Sequence, residues 1–226
     1  MIYLLDTKFI ELENNELYKD LPTERIEKIN RLVKDEDKKL SLGAGVLLNF
    51  AIRDFCVAEG ILCPSFPLNI CKNEHGKPTL EDNDIHFNLS HSGKFVVCTI
   101  DKTSVGIDIQ ALKENRNNIC RMVLSHKELS VFGNSTTNGI EIFCVKEAIL
   151  KKSGVGLSFG LKNIELSCEN NNIFESKAIL TPLTDDGIYS VEGLNDTIFL
   201  INGEEKISVS TAILEGEDGI YFLAKC

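Results

Sequence analysis

The sequence predicts an α+β protein built from two similar halves, and two observations support this fold class. Residues 23–56 and 124–157 have apolar side chains mainly at helical spacing. Each stretch is followed by short runs of β-branched and aromatic residues between turn residues, which is typical of strands. A helical pair followed by a meander of strands thus occurs twice. This repetition indicates an internal duplication, with a cleft between the halves as the expected place for a ligand.

The predicted elements follow in chain order. A strand opens the chain at 1–10, and Thr23 is the expected N-cap of the first helical stretch, which breaks near 34–37. Two further helices are predicted at 124–132 and 139–157, and a turn at 169–172. The remaining predicted strands are 84–92, 94–101, 104–110, 163–168, 177–180, 197–201, 207–214 and 219–226.

Charge and cysteine spacing limit the class of protein. The net charge of −10 argues against a general nucleic-acid binder, which needs a basic surface. The eight cysteines lack the spacing of a zinc or redox motif and lie among apolar residues, so a reducing compartment is expected. The N-terminus has no secretory signal pattern, and the apolar run at 42–52 is short for a membrane span. We expect a cytoplasmic protein that binds neither nucleic acid nor membrane.

Asp108 and Gln110 lie two residues apart in a predicted strand, so their side chains leave the same face. Ile107 and Ile109 point to the opposite face and are expected in the core. Burying a carboxylate costs free energy unless it is paired or binds a metal. The alternative is an edge strand with one solvated face.

The segment FCVKEAILKKSGVGL, residues 143–157, predicts an amphipathic helix that ends at Gly154. Glu147 and Lys151 lie one turn apart at the margin of its apolar face. They form either an exposed ion pair worth a few tenths of a kcal/mol or a pair of charges that lines a site.

Two polar segments carry groups suited to an anion. Lys77 stands between Gly76, which permits close backbone approach, and Pro78, which stiffens the loop. Ser90 and His91 offer a hydroxyl and an imidazole that can donate to phosphate oxygens. For each segment taken alone, an ordinary loop or hairpin turn is the alternative.

Four blocks taken together resemble the phosphopantetheinyl transferases of the surfactin-synthetase-activating type. The blocks occur in the same order as in that family. The four blocks together are far more specific than any single block. The blocks are G-K-P at 76–78, F-N-x-S-H-S at 87–92, G-I-D-x-x at 106–110 and K-E-A-x-x-K-x-x-G-x-G-L at 146–157.

The resemblance implies a pseudo-dimer of two similar α+β halves with the active site in the cleft between them. The N-terminal half, residues 1–103, would contact the phosphates of coenzyme A, and the C-terminal half, 104–226, would hold the metal site and the K-E-A helix. The implied reaction moves the phosphopantetheine arm of coenzyme A to a serine of an acyl or peptidyl carrier protein. Adenosine 3′,5′-bisphosphate is released, Mg²⁺ is required, and a monomer is expected.

The resemblance also implies roles for single residues. Asp108 and Glu147 would bind Mg²⁺, with Gln110 as a further ligand, and Glu147 is also a candidate base, directly or through water. Lys151 would reach a diphosphate oxygen. A cation fits these roles, because two carboxylates beside a diphosphate repel one another strongly unless a divalent ion lies between them.

The nucleotide contacts are implied in the same way. Lys77, Pro78, Ser90 and His91 would hold the phosphates of coenzyme A. Three residues near the start of the first helices would surround its 3′-phosphate, and solvated charges on a helix face are their alternative. These three are Arg25, Lys28 and Ser41.

The sequence departs from the family pattern at two positions. Gln110 stands where many members have a second acidic ligand, and Phe143 stands where many have tryptophan. An amide oxygen or water can complete the coordination of Mg²⁺, so the metal site is still expected. Two alternatives from other classes are a non-catalytic coenzyme A-binding relative and a metal-dependent diphosphate hydrolase. The acidic residues Asp108 and Glu147 argue against the first, and the ordered set of blocks argues against the second.

Overall fold

The computed structural model describes residues 1–81, 83–113, 118–156, 159–168 and 173–226. The predicted turn at 169–172 and the last motif residue, Leu157, lie outside the described residues. The helices of the described part are α1 (Thr23–Arg31), α2 (Asp35–Glu59), α3 (Ile119–Val123), α4 (His126–Phe132) and α5 (Thr136–Ser153). Its strands are β1 (Ile2–Asp6), β2 (Ile70–Lys72), β3 (Pro78–Leu80), β4 (His86–Ser92), β5 (Phe95–Asp101), β6 (Ile107–Ala111), β7 (Leu166–Ser167), β8 (Ile179–Pro182), β9 (Ile188–Glu192), β10 (Asn195–Ile201), β11 (Glu205–Gly216) and β12 (Gly219–Lys225).

The chain divides into two compact units. The first unit contains Met1–Val105 and Leu180–Val191, and the second contains Gly106–Ile179 and Glu192–Cys226. The sequence-based division at 103 and 104 lies close to the break before Gly106. It assigned Leu180–Val191 to the C-terminal half, whereas this segment belongs to the first unit because β9 pairs with β1.

The first unit is a five-stranded sheet covered by a long helix. The strand order is β4-β5-β1-β9-β8, and β1 pairs antiparallel with both β5 and β9. Helix α2 packs against β5 and β1, and α1 packs against α2. Leu42, Leu47 and Ala51 of α2 are fully buried in the resulting core.

By length and composition alone, α2 is also the one helix in the described part of the chain that could cross a membrane. The apolar run at 42–52 is short, but the helix that contains it has 25 residues. Its burial on the sheet accounts for its apolar composition, because most of its apolar side chains lie in the core of the first unit.

The second unit has a similar plan. Its sheet has the order β6-β12-β11-β10-β7, and the pairs β6–β12, β12–β11 and β11–β10 are antiparallel. Helix α5 packs against β6 and β12, and α3 packs against α5. The predicted α+β class is confirmed, and both units combine one long helix with a five-stranded sheet.

Several local predictions were wrong. Thr23 is the first residue of α1, and the preceding Pro22 makes no side-chain capping bond. The break between the first two helices lies at residues 32–34, slightly before the predicted position. Strand β9 and the short helix α3 were not predicted. The first sheet is not a plain meander, because β1 lies between β5 and β9.

Candidate active site

Helix α5 carries two of the predicted site residues, Glu147 and Lys151. It begins after Ser135, whose side chain accepts a hydrogen bond from Asn138 N at 3.1 Å. It ends at Gly154, which has the left-handed φ of 75° that glycine adopts at little cost. The predicted apolar face of the helix is buried in the core of the second unit. The predicted amphipathic character is wrong for residues 144–150, because all seven are buried and this part of the helix is covered on every side.

Strand β6 brings Asp108 next to α5. Ile107 and Ile109 are buried, as strand alternation predicts, but Asp108 is also buried, with 1% of its surface exposed. The two elements approach closely at Gly106, where an added Cβ would lie 2.0 Å from Ala148 O. A side chain at this position would therefore push the helix away from the strand. The alternative of a solvated face is wrong for Asp108.

The Asp108 carboxylate accepts hydrogen bonds at both oxygens. Lys151 Nζ lies 2.6 Å from Asp108 Oδ1 and 3.2 Å from Ile107 O. Gln110 Nε2 donates to Asp108 Oδ2 at 2.8 Å. Asp108 and Gln110 thus share a side of the strand, as their spacing predicted, and Lys151 forms a partly buried ion pair with Asp108.

Glu147 lies beside this pair and is buried. Its Oε1 has no hydrogen-bond partner among the described residues. Burial raises the pKa of Glu147 to about 7, and the nearby Asp108 charge adds to the increase while Lys151 opposes it. The interpretation of Glu147 and Lys151 as an exposed ion pair is wrong, because Glu147 is buried and Lys151 pairs with Asp108.

This arrangement fits a divalent cation that is shared with a bound anion. A buried carboxylate oxygen without a donor is a group that a cation would stabilise, and two adjacent carboxylates repel each other without one. No group of three or more His, Cys, Asp or Glu side chains among the described residues could hold a metal ion. The remaining ligands would thus have to come from Gln110, water or the substrate, as is usual for Mg²⁺ at phosphate-binding sites.

The loop around Lys77 belongs to the first unit. Gly76 has a positive φ of 85°, and Pro78 is the first residue of β3. Lys77 Nζ donates to Ser104 Oγ and Val105 O, both at 3.1 Å. The lysine side chain thus ties this loop to the last residues before the second unit begins.

The polar turn around His91 is a β-hairpin. Ser90 and His91 lie in β4, which pairs with β5, and Gly93 in the connecting turn has a φ of 55°. Ser90 is buried, whereas His91 is exposed. The predicted turn is therefore present, and the side chain of His91 lies at the surface just before it.

Two of the three residues predicted near the 3′-phosphate lie together in the first unit. Arg25 Nη1 donates to Ser41 O at 3.1 Å, and burial lowers the pKa of Arg25. Ser41 Oγ is buried and has no hydrogen-bond partner among the described residues. Lys28 is exposed one turn further along α1.

The second unit contains a buried ion pair that was not predicted from the sequence. Lys146 Nζ lies 2.8 Å from Glu128 Oε2 and also donates to Val123 O and Leu161 O, and neither charged side chain is exposed. Glu128 also completes a capping box with Ser125 at the start of α4. The spacing of that box was visible in the sequence, but its pairing with Lys146 was not.

Glu141 is a half-buried glutamate, also on α5. It lines a cavity of about 360 Å³ together with Phe174 and Glu175, and burial raises its pKa to about 7. Asp108 and Glu147 do not line this cavity.

Comparison with known proteins identifies the family. The model of the family described as "4′-phosphopantetheinyl transferase, N-terminal" matches residues 11–103, and that of the "4′-phosphopantetheinyl transferase superfamily" matches 104–196. The 4′-phosphopantetheinyl transferase gsp of Aneurinibacillus migulanus is 30% identical over 166 residues, which cover 68% of each chain. The chain belongs to the 4′-phosphopantetheinyl transferase superfamily.

Other members of the superfamily align over more of the chain. A 4′-phosphopantetheinyl transferase of Bacillus subtilis is 27% identical over 220 residues, covering 95% of this chain and 85% of the relative. The 4′-phosphopantetheinyl transferase Sfp of Bacillus subtilis (strain 168) is 28% identical over 169 residues, covering 72% and 73%. The family resemblance expected from the four sequence blocks is confirmed. Asp108, Gln110, Glu147 and Lys151 all fall within the superfamily match at 104–196.

Proposed function

We propose that this transferase moves the 4′-phosphopantetheine arm of coenzyme A to a serine of an acyl or peptidyl carrier protein. The observation that carries the proposal is the group formed by Asp108, Lys151 and Glu147, whose Oε1 has no hydrogen-bond partner in the described part of the chain. All three residues lie within the superfamily match. The serine Oγ attacks the β-phosphorus of the diphosphate, and a new P–O bond forms. The bond from this phosphorus to the bridging oxygen breaks, and adenosine 3′,5′-bisphosphate leaves with that oxygen.

The chain's own groups position the reactants and handle the proton. Glu147 receives the serine proton, directly or through a water molecule. Lys151 donates to a diphosphate oxygen, and its charge offsets the charge that develops on the leaving phosphate. Most of the rate enhancement then comes from orientation and charge stabilisation.

Mg²⁺ fits this site for the reasons given above. Asp108 and Glu147 would hold it through carboxylate oxygens, and Gln110 through its amide oxygen or a bound water. When bound, the ion neutralises the diphosphate and makes its phosphorus a better electrophile.

The nucleotide end of coenzyme A is assigned to residues of the first unit. Lys77, Pro78, Ser90 and His91 hold its phosphates, and Arg25, Lys28 and Ser41 surround the 3′-phosphate. Two observations support the second group: Arg25 donates to Ser41 O, and the buried Ser41 Oγ has no hydrogen-bond partner within the ranges that the structure describes. With one set of contacts on each unit, the proposal requires the active site to lie between the two halves.

The setting of the enzyme is proposed from its composition. All eight cysteines lie within the described residues and none of them is in a disulfide, which suits the reducing cytoplasm. The net charge of −10 suits neither nucleic acid nor an anionic membrane surface. The division of labour between two halves of one chain is consistent with a monomer.

The mass of a carrier protein tests the proposal. A purified apo-carrier is incubated with the enzyme, coenzyme A and Mg²⁺, and a carrier with serine replaced by alanine is the control. We expect the parent carrier to gain one phosphopantetheine and an equal amount of adenosine 3′,5′-bisphosphate to appear. Free phosphopantetheine with an unmodified carrier would instead indicate a diphosphate hydrolase, and no product at all would indicate a coenzyme A-binding relative.

A further inference from the structure

The two carboxylates of the candidate metal site differ in their partners. Asp108 accepts from Lys151 at Oδ1 and from Gln110 at Oδ2, at 2.6 and 2.8 Å. Glu147, in contrast, has an oxygen without any hydrogen-bond partner among the described residues. Lys151 therefore forms an ion pair with Asp108, and it also acts on Glu147 through its charge.

The Lys151 ammonium is partly exposed to solvent, so it can exchange its partner more readily than a buried group can. Its side chain is 26% exposed, whereas the Asp108 side chain is only 2% exposed. The lysine has a flexible four-carbon stem, and its second hydrogen bond, to Ile107 O, is longer at 3.2 Å. Asp108, in contrast, is buried in β6.

Moving the Lys151 ammonium away from Asp108 costs free energy unless another cation takes its place. A buried carboxylate that loses its cation bears the full cost of desolvation. A divalent cation held by Asp108 would supply new charge, but it would lie close to the ammonium unless the ammonium finds another anion. A diphosphate near the metal is such an anion, because it can accept from the lysine.

We propose that Lys151 is the built-in counter-ion of Asp108, and that it prevents tight Mg²⁺ binding until the diphosphate of coenzyme A gives its ammonium a new partner. Lys151 thereby makes the binding of the metal and the binding of the nucleotide mutually dependent. This proposal rests on the proposed function for the identity of the anion. It adds a role for the lysine before the reaction begins.

Metal binding without coenzyme A tests the proposal most simply. MgCl₂ is titrated calorimetrically into the metal-free parent and into Lys151→Met, which keeps the length of the side chain and removes its charge. We expect the variant to bind Mg²⁺ at least ~10-fold more tightly than the parent, within the usual range of coupling between sites. Lys151→Arg keeps the charge and should remain as weak as the parent.

Lys177→Met is the matched control, because Lys177 forms an exposed ion pair with Glu215 in the same unit. It should bind Mg²⁺ as the parent does. Equal Mg²⁺ affinities for the parent and a cooperatively folded Lys151→Met would overturn the proposal. The proposed function is tested separately, by the transfer of phosphopantetheine to a carrier protein. The parent could still catalyse that transfer if the two Mg²⁺ affinities were equal, so the two failures are distinguishable.

A second measurement uses the parent alone and does not depend on the folding of any variant. Mg²⁺ is titrated in the absence of nucleotide, with saturating coenzyme A and with saturating adenosine 3′,5′-bisphosphate, which lacks the diphosphate. We expect coenzyme A to raise the Mg²⁺ affinity at least ~10-fold and the bisphosphate to raise it much less. An Mg²⁺ affinity that is unchanged by coenzyme A would contradict the proposal.

Discussion

Lys146 and Glu128 form a fully buried ion pair, with Nζ 2.8 Å from Oε2. The lysine is next to Glu147 in sequence, but its ammonium is satisfied by Glu128 and two backbone carbonyls. Burial lowers the pKa of Lys146, and the Glu128 charge opposes this shift. Within the motif, Lys146 therefore stabilises the packing of α5 against α3 and α4, while Glu147 and Lys151 belong to the candidate site.

Breaking this pair should destabilise the enzyme strongly. Lys146→Met leaves Glu128 buried without its cation, and we expect a loss of about 3–5 kcal/mol in the free energy of unfolding. Urea unfolding measures it. Lys127→Met is the control, because its ion pair with Glu165 is at the surface and should be worth less than about 1 kcal/mol. A similar small loss for both variants would show that the buried pair is not needed for stability.

The sequence predicted the elements that carry the site because their patterns are local. In the sequence, α5 has apolar residues at helical spacing and a glycine C-cap, and β6 alternates apolar and polar residues around Asp108. Membership of the family was also predictable, since four short blocks in fixed order are rarely found by chance.

The contacts that define the site were not predictable, because they depend on tertiary packing. Asp108 and Lys151 are 43 residues apart, and Lys146 and Glu128 are 18 apart. Nothing in the local pattern of α5 distinguishes a lysine that pairs with a strand from one that is buried against α4. Strand β9 was missed for a similar reason, since it completes the sheet of the first unit from the distant part of the chain.

Glu147 should make the stability of the metal-free enzyme fall as the pH rises. Its pKa is about 7 in the folded protein and 4.5 ordinarily, so between these values the folded state binds more protons than the unfolded state. The free energy of unfolding therefore decreases from about pH 4.5 to about pH 7. Glutamine does not titrate, so Glu147→Gln should gain about 1–3 kcal/mol over the parent between pH 5 and pH 8.

Urea unfolding in EDTA at the two pH values measures this difference. Glu24→Gln, at the exposed start of α1, is a suitable control and should follow the parent at both values. If the stability of Glu147→Gln relative to the parent is the same at pH 5 and pH 8, the carboxyl does not titrate as the structure requires.

Gln110 should tune the requirement for Mg²⁺. Its amide nitrogen donates to Asp108 Oδ2. Its amide oxygen is neutral and would bind Mg²⁺ less strongly than a carboxylate does. In a transfer assay with varied Mg²⁺, we expect Asp108→Ala to be nearly inactive and Gln110→Ala to need modestly more Mg²⁺. Gln110→Glu should need as much as the parent or less. Identical curves for the parent and both Gln110 variants would remove this side chain from the metal site.

Arg25 should distinguish coenzyme A from 3′-dephospho-coenzyme A. Loss of a charge-assisted contact to the 3′-phosphate in Arg25→Gln should raise KM for coenzyme A by roughly 10-fold. The KM for the dephosphorylated analogue should change little, because it has no 3′-phosphate to contact. Arg31→Gln, at the exposed end of α1, is the control. An equal rise for both nucleotides in Arg25→Gln would place the arginine elsewhere.

The turnover of Glu147→Gln, followed by the mass of the carrier protein at saturating Mg²⁺ and coenzyme A, tests most directly whether transfer depends on the group around Asp108. Glutamine is nearly isosteric, so the fold is kept while the charge and the base are lost. We expect turnover to fall at least ~100-fold, the usual effect of removing a positioned acid–base or charge-stabilising group. Glu141→Gln, on the same helix with a similarly raised pKa, should keep near-parental turnover. A folded Glu147→Gln that transfers phosphopantetheine at the rate of the parent would contradict the assignment of this site.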